Sequence, residues 1–222
     1  MASDERQVEI RDGQRISLRP IEPGDKDALA AGFQRLSPES RYRRFFAPLS
    51  RLSGTDLRYL TEVDHCNHEA IIALEPSAEE AIGVARYVRS EDPAEAEVAV
   101  TVVDDWHGRG VATALLERLV ERARGEGIER FLALVLDENE AAIELLKQVA
   151  DGDAEERRSA SGHLELVLEL PELDEVSGSL LGRALRIAAG GDVTMNPWRL
   201  LKYRVHETAE HAIPDDKAGE RD

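Results

Sequence analysis

The chain has 222 residues, of which 45 are acidic and 28 are basic, so its formal net charge is −17. This excess of negative charge argues against nucleic acid or an anionic membrane as the partner, because both would repel the protein. Hydrophobic residues make up 42 % of the chain, which is enough for a buried core, and the single cysteine excludes an internal disulfide.

Signals for export or membrane insertion are missing from the sequence. Residues 1–6 contain neither the basic nor the apolar segment of a signal peptide. Apolar runs such as 131–136 fall far short of the roughly 20 residues that span a bilayer. We therefore expect a cytoplasmic protein whose partners include no nucleic acid and no membrane. The cluster His65-Cys66-Asn67-His68 has no further spaced ligand pair, so we expect no metal site.

Short strands and amphipathic helices are predicted for the first ninety residues. In chain order we expect a flexible segment over 1–12, a strand over 16–19, a helix over 25–36, a second helix from Pro38, a short helix up to Leu60, and a hairpin of strands 70–74 and 81–88. The second helix is marked by a serine cap followed by proline at its first position.

Residues 97–136 have the pattern of a strand, a loop, a helix and a second strand. The valine-rich segment 97–103 predicts a strand, and apolar residues at steps of three and one over 112–123 predict an amphipathic helix. The continuous apolar segment 131–136 predicts a strand buried on both faces, which is typical of a parallel pair joined by a helix.

The remainder of the chain predicts a helix over 139–149 and a last hairpin from segments 151–158 and 163–170. We expect one α/β domain over 13–171. Residues 172–207 are predicted to form a helical extension, and the polar segment 208–222 a disordered tail.

The loop His107-Gly108-Arg109-Gly110, with the helix start Val111-Ala112-Thr113, has the composition of a phosphate-binding site. Glycines let main-chain N–H groups approach a ligand, and a helix start adds donors and the positive end of a dipole. Arg109 is able to add a charge-assisted hydrogen bond. An ordinary glycine-containing turn explains the same residues. The segment is neither a Walker loop nor a Rossmann fingerprint.

These residues resemble the GNAT N-acetyltransferase superfamily. The segment His107–Ala112 is similar to its Q/R-x-x-G-x-G/A acyl-CoA motif, with histidine at the first position, and Asn139–Leu145 is similar to its N-x-x-A-x-x-L segment. Segments 40–46 and 60–64 resemble bacterial protein lysine acetyltransferases of the Pat type. The resemblance covers 13–171 and implies an α/β fold: a mixed, mostly antiparallel twisted sheet with one splayed parallel strand pair, flanked by helices.

The resemblance also implies a reaction and a set of binding residues. An acetyl group would move from acetyl-CoA to a primary amine, and the Pat-type likeness favours a protein lysine. A small-molecule amine or a ribosomal amino terminus stays open as the acceptor. The residues expected to bind acetyl-CoA are Thr101, Val102, Val103, His107, Gly108, Arg109, Gly110, Val111, Ala112, Thr113 and Asn139.

Within this set, the main-chain N–H groups of Thr101, Val102 and Val103 would stabilise the oxyanion. Asn139 would hold the pantetheine arm, cap its helix, or do both. Leu146 stands where many family members have a tyrosine that protonates the leaving thiolate. A non-catalytic acyl-CoA-binding regulatory module is therefore the alternative function.

Glu97 is the predicted catalytic base. A lysine amine with a pKa of about 10.4 is mostly protonated at neutral pH, so a base must remove its proton before attack. Glu97 opens the strand that leads into the loop, its neighbours Val98 and Ala99 are apolar, and the resemblance points to the same position. A strand-edge carboxylate paired with an arginine such as Arg89 is the structural alternative.

Overall fold

The computed structural model describes residues 4–77, 80–150, 154–158 and 163–171, and an eight-stranded sheet forms its centre. The strands are β1 (Arg6–Glu9), β2 (Arg15–Pro20), β3 (His68–Glu75), β4 (Glu80–Arg89), β5 (Glu95–Val102), β6 (Arg130–Leu136), β7 (Ala154–Arg158) and β8 (His163–Glu169). Their order across the sheet is β1-β2-β3-β4-β5-β6-β8-β7. Every neighbouring pair is antiparallel except β5 with β6. The mixed, mostly antiparallel sheet predicted from the sequence is confirmed.

Five α-helices of the described ranges accompany the sheet: α1 (Lys26–Arg35), α2 (Pro38–Phe45), α3 (Gly54–Thr61), α4 (Val111–Gly125) and α5 (Glu140–Val149). Ser37 caps α2 by accepting a hydrogen bond from the N–H of Ser40, as the Ser-Pro pattern predicts. None of the described helices combines the length and the apolar character that crossing a membrane requires.

Alternate residues of β3 belong to two different apolar clusters, because their side chains point to opposite faces of the sheet. Ile71 and Ala73 join the larger cluster, which contains the apolar side of α4. Ala70 and Ile72 join the smaller cluster, against which Leu29 of α1 packs. We call these the α4 face and the α1 face.

The parallel pair opens along its length. β5 and β6 are in register only from Glu95 opposite Arg130 to Glu97 opposite Leu132. Beyond this point β5 continues to Val102 against β4, and β6 continues against β8. The predicted splayed pair is thus present, and Glu97 is the last residue of β5 that is paired on both sides.

The structure corrects one expectation at the amino terminus. Residues 6–9, expected to be flexible, form β1 and pair with β2 through a turn at Gly13, where φ is +79°. Val8 is the one apolar residue of β1, so the strand is held by main-chain pairing more than by a hydrophobic pattern. The predictions for 172–207 and 208–222 lie outside the described residues.

Candidate active site

The loop between β5 and α4 is shaped by two glycines with positive φ, Gly108 at +71° and Gly110 at +91°. Gly110 is the N-cap of α4, and no side chain among the described residues caps this helix. The first hydrogen bond of the helix runs from the N–H of Ala114 to the carbonyl of Gly110 at 3.1 Å. The N–H groups of the first turn therefore have no acceptor within the helix itself.

Contacts with neighbouring residues fix the position of the loop. The Arg109 guanidinium lies 3.9 Å above the Trp106 ring, and its Nε donates to Asp12 Oδ2 at 2.6 Å. The N–H of Arg11 donates to the carbonyl of Arg109 at 3.1 Å. The charge of Arg109 is thus shared with Asp12, and what the loop itself presents is main chain.

A small cavity at the loop is lined by Trp106, His107, Gly108, Gly110, Val111 and Ala112, together with Val102. A Cβ at Gly108 would meet nothing within 4 Å, so the loop is open there. Glycines with positive φ, an uncapped helix start and an open approach are the properties that a diphosphate requires of its binding site. The predicted residues 107–113 therefore fit the diphosphate of a coenzyme A.

The end of β5 places its main-chain groups on two sides. The N–H of Val103 donates to the carbonyl of Ile82 at 2.9 Å, and alternation along an antiparallel strand gives Thr101 the same orientation toward β4. The main chain of Val102 is directed toward the side that β6 leaves, where its carbonyl lies 2.8 Å from His107 Nε2. Of the three predicted oxyanion donors, Thr101 and Val103 thus have their N–H groups directed toward β4, and Val102 has its main chain directed toward the opening.

Glu97 is half-buried at the point where β5 and β6 separate, and its Oε2 is shielded from solvent. It lies opposite Val88 on β4 and Leu132 on β6. Arg89, the suggested ion-pair partner, lies opposite Ala96 and thus on the other face of the sheet. Its guanidinium donates to the carbonyls of Pro93 and Glu126.

Asn139 and Leu146 both belong to α5. Asn139 is the N-cap, is only 3 % exposed, and accepts a hydrogen bond from the N–H of Ala142 at 3.3 Å. The capping role considered from the sequence is therefore present. Leu146 is fully buried in the larger apolar cluster, so this position supplies packing and no proton donor.

Asp104 joins the loop to the other face of the sheet, and sequence reasoning missed it. Its carboxylate accepts from the N–H of Ser37 at 2.8 Å and from the hydroxyl of Ser40 at 3.0 Å. Burial opposes ionisation of this carboxyl, but the hydrogen bonds from Ser37 and Ser40 outweigh it and lower the pKa of Asp104. The start of α2 is thereby fixed to the segment that precedes the loop.

The histidine and cysteine cluster has separate partners for each side chain. His65 Nδ1 lies 2.7 Å from Glu69, Cys66 donates to Glu126, and His68 Nε2 lies 3.1 Å from Arg86. Burial, followed by the charge of Arg86, lowers the pKa of His68 to about 3. Within the described ranges, no group of three or more histidine, cysteine or acidic side chains is arranged to hold a metal ion.

Comparison with known proteins gives the same result as the geometry. The model of the acetyltransferase (GNAT) family matches residues 36–150. Acetyltransferase Pat of Mycolicibacterium smegmatis is 36 % identical over 143 residues, which are 64 % of this chain and 43 % of that protein. The chain thus spans less than half the length of this curated relative.

Two solved structures extend the comparison. The GNAT domain of S. lividans PAT is 36 % identical, with a TM-score of 0.68, and the match covers 75 % of this chain and 97 % of that domain. A cAMP-binding acyltransferase from Mycobacterium smegmatis is 30 % identical, with a TM-score of 0.57 and coverage of 82 % and 53 %. The splayed strands, the glycine loop and these matches agree: the chain belongs to the GNAT acetyltransferase family, whose acetyl donor is acetyl-CoA.

Proposed function

We propose that this chain transfers an acetyl group from acetyl-CoA to a primary amine, and that the amine is the side chain of a protein lysine. The observation that carries the proposal is the placement of Glu97 where β5 and β6 separate, on the strand that leads into the glycine loop. The likeness to Pat proteins supports lysine as the acceptor.

The loop and the strand opening would position the donor. Main-chain N–H groups of residues 108–113 would hold the diphosphate, with the helix start adding favourable electrostatics. The opening between β5 and β6 is where the pantetheine arm would pass, and Asn139 lies at the start of the helix that follows β6. Acetyl-CoA supplies the activated acyl group as a thioester.

Glu97 would then act as the base. Its carboxylate takes the proton of the lysine ammonium, directly or through a water, and the neutral amine attacks the thioester carbon. The C–N bond forms, the C–S bond breaks, and the thiolate leaves. Because Leu146 is buried in the core, the proton for the thiolate comes from solvent in this scheme.

The test compares Glu97→Gln with a matched change on the same strand and face. Glu95 is the control, because it is also half-buried and its charge is paired with Arg130 at 3.0 Å. Purified variants are assayed with labelled acetyl-CoA against lysine peptides, small amines and a peptide with a free amino terminus. We expect Glu97→Gln to lower kcat by about 10²–10⁴, which is the usual contribution of general base catalysis, without changing the Kd for acetyl-CoA. Glu95→Gln should stay near the wild-type rate.

The outcomes separate the competing functions. Transfer to peptides but not to small amines supports the lysine acceptor, and the reverse preference replaces it with a small molecule. Acetyl-CoA binding without transfer to any acceptor of the panel would leave only the non-catalytic module.

A further inference from the structure

Arg86 is a buried cation on the α1 face of β4. It is 2 % exposed, and its guanidinium donates to the carbonyl of Leu60 at 3.1 Å and lies 3.1 Å from His68 Nε2. Both partners are neutral, since the pKa of His68 is lowered to about 3. In the part of the chain that the structure describes, no carboxylate lies within ion-pair distance of Arg86. A buried charge without a counter-charge destabilises the folded protein, so an anion bound beside Arg86 would be stabilising.

A second buried arginine adds positive charge close to Arg86. Arg44 of α2 is 5 % exposed, and its guanidinium lies 4.9 Å from the centre of the Phe45 ring. Burial, followed by repulsion from Arg44, lowers the pKa of Arg86 to about 9. Two neighbouring guanidinium groups that repel each other would both be stabilised by one anion between them.

Both arginines line a cavity of about 60 Å³ between the sheet and helices α1, α2 and α3. Thr101 of β5 also lines it, and its hydroxyl is buried with no hydrogen-bond partner among the described residues. The rest of the wall is mostly apolar, from side chains such as Phe33 and Leu52. Since one buried water requires a cavity volume of only about 10–15 Å³, this cavity has room for several non-hydrogen atoms.

We propose that this cavity, defined by Arg44, Arg86 and Thr101, binds a carboxylate, and that the carboxylate is the end of a short dicarboxylic acyl group such as malonyl on the CoA donor. The donor is favoured as the source because Thr101, near the end of β5, and Val103, directly after it, both line the cavity, and the acyl group is expected at this end of the strand. This inference rests on the proposed function. A free carboxylate ion is the other source of the same chemistry.

The transfer step keeps the chemistry of the acetyl reaction. The amine nitrogen forms a bond to the thioester carbon, the C–S bond breaks, the thiolate leaves, and the amine proton passes to Glu97 and then to solvent. The distal carboxylate takes no part in bond changes. It is held by the guanidinium groups, which suit a planar carboxylate better than an ammonium would.

The first experiment compares malonyl-CoA with isovaleryl-CoA on the wild-type chain. The two acyl groups have the same number of non-hydrogen atoms, and only the first has a charged end. We expect kcat/KM for malonyl-CoA to exceed that for isovaleryl-CoA at least tenfold, with acetyl-CoA measured in parallel. Equal values would overturn the assignment of the carboxylate to the donor.

The second experiment changes the cation. Arg86→Gln should bring the ratio of malonyl-CoA to isovaleryl-CoA close to one, and Arg86→Lys should restore part of it. The control is Arg43→Gln on α2, because Arg43 is paired with Glu39 on the surface at 2.5 Å. It should leave the ratio unchanged. A ratio that survives Arg86→Gln contradicts the proposal.

Two further measurements keep the failure of this inference apart from the failure of the proposed function. Acetyl transfer with no preference for malonyl-CoA leaves the function intact and removes the assignment of the carboxylate to the donor. If no donor is turned over, the Kd values of malonyl-CoA and isovaleryl-CoA still report on the cavity. Thermal unfolding in sodium malonate against sodium chloride of equal ionic strength tests the free ion. If malonate stabilises the protein but malonyl-CoA is not preferred, the cavity binds a carboxylate and its ligand is the free ion. If malonate does not stabilise the protein and malonyl-CoA is not preferred, the proposed site is overturned.

Discussion

Near the end of β5, the two faces of the sheet present different chemical groups to a ligand. On the α4 face the loop at Gly108 and Gly110 presents main-chain groups, and its side chains turn back onto the protein, as Arg109 does onto Trp106 and Asp12. On the α1 face the cavity is defined by side chains, with Arg86 and Thr101 at its wall. The affinity for a ligand bound by main-chain groups depends on backbone conformation, whereas the affinity for one bound by side chains depends on which residues supply them. The same kind of substitution should therefore have different effects on the two faces.

The largest effect on ligand binding is expected from Gly110→Ala on the α4 face. A Cβ there would only make ordinary contacts of 3.6 and 3.7 Å with Arg11, so the cost comes from the φ of +91°. A left-handed conformation costs an L-residue about 1–2 kcal/mol, and we expect the loop to relax away from it. The Kd for acetyl-CoA should rise about tenfold or more, which corresponds to about 1.4 kcal/mol.

Gly125→Ala is the matched control for this substitution, because Gly125 ends the same helix and its Cβ would meet nothing within 4 Å. Calorimetric titration of both variants with acetyl-CoA checks the difference. A Gly110→Ala protein that binds as tightly as Gly125→Ala would show that backbone conformation does not define the site.

The second prediction concerns Glu117 of α4, a carboxyl group whose burial is unfavourable. Substituting it tests how a buried side chain affects stability on the α4 face. The Oε1 of Glu117 is buried, and burial, followed by the neighbouring Glu121, raises the pKa of Glu117 from 4.5 to about 7. The folded state therefore binds the proton more tightly than the unfolded state. The wild type should lose stability relative to Glu117→Gln as the pH rises from about 4.5 to 7, and the difference should level off above that range.

After allowance for partial exposure, we expect Glu117→Gln to be more stable than the wild type by about 2 kcal/mol at pH 8 and by little at pH 4.5. Urea unfolding at both pH values measures it. The exposed Glu129→Gln is the control and should show no such pH dependence. An advantage for Glu117→Gln that is equal at both pH values would contradict burial of the charge as its cause.

The difference between the faces also explains what the sequence could reveal. The loop, α4 and β6 follow from residues close together in the chain: glycines at 108 and 110, apolar steps in the helix and a continuous apolar strand. The α1 face depends on contacts that no local pattern encodes. Arg86 alternates with buried Ala85 and Tyr87, so the strand pattern alone places it toward solvent, and it is buried by the helices that pack on this face of the sheet.

β1 was missed for a related reason. A strand with one apolar residue has no periodicity to detect, and its partner β2 supplies the pairing. Glu97 was located by its position before the loop. What the sequence did not show is where the register of β5 with β6 stops, since this depends on the competing partners β4 and β8.

The smallest expected effect concerns the link between the two faces. Asp104→Asn keeps the size of the side chain but removes the charge that accepts from Ser37 and Ser40. Because the pKa of Asp104 is lowered in the folded state, its contribution to stability is present above the pKa of the unfolded chain and is lost as the pH falls through the folded value. We expect a loss of about 1 kcal/mol at pH 7, the typical net contribution of one hydrogen bond, and a difference that shrinks below about pH 4. The neighbouring, exposed Asp105→Asn is the control. If both variants lose the same stability, the link does not hold α2 to the loop. If only Asp104→Asn loses stability, this carboxylate joins the α1 face to the α4 face. A shift of α2 should then also change the affinity of the diphosphate site for its ligand.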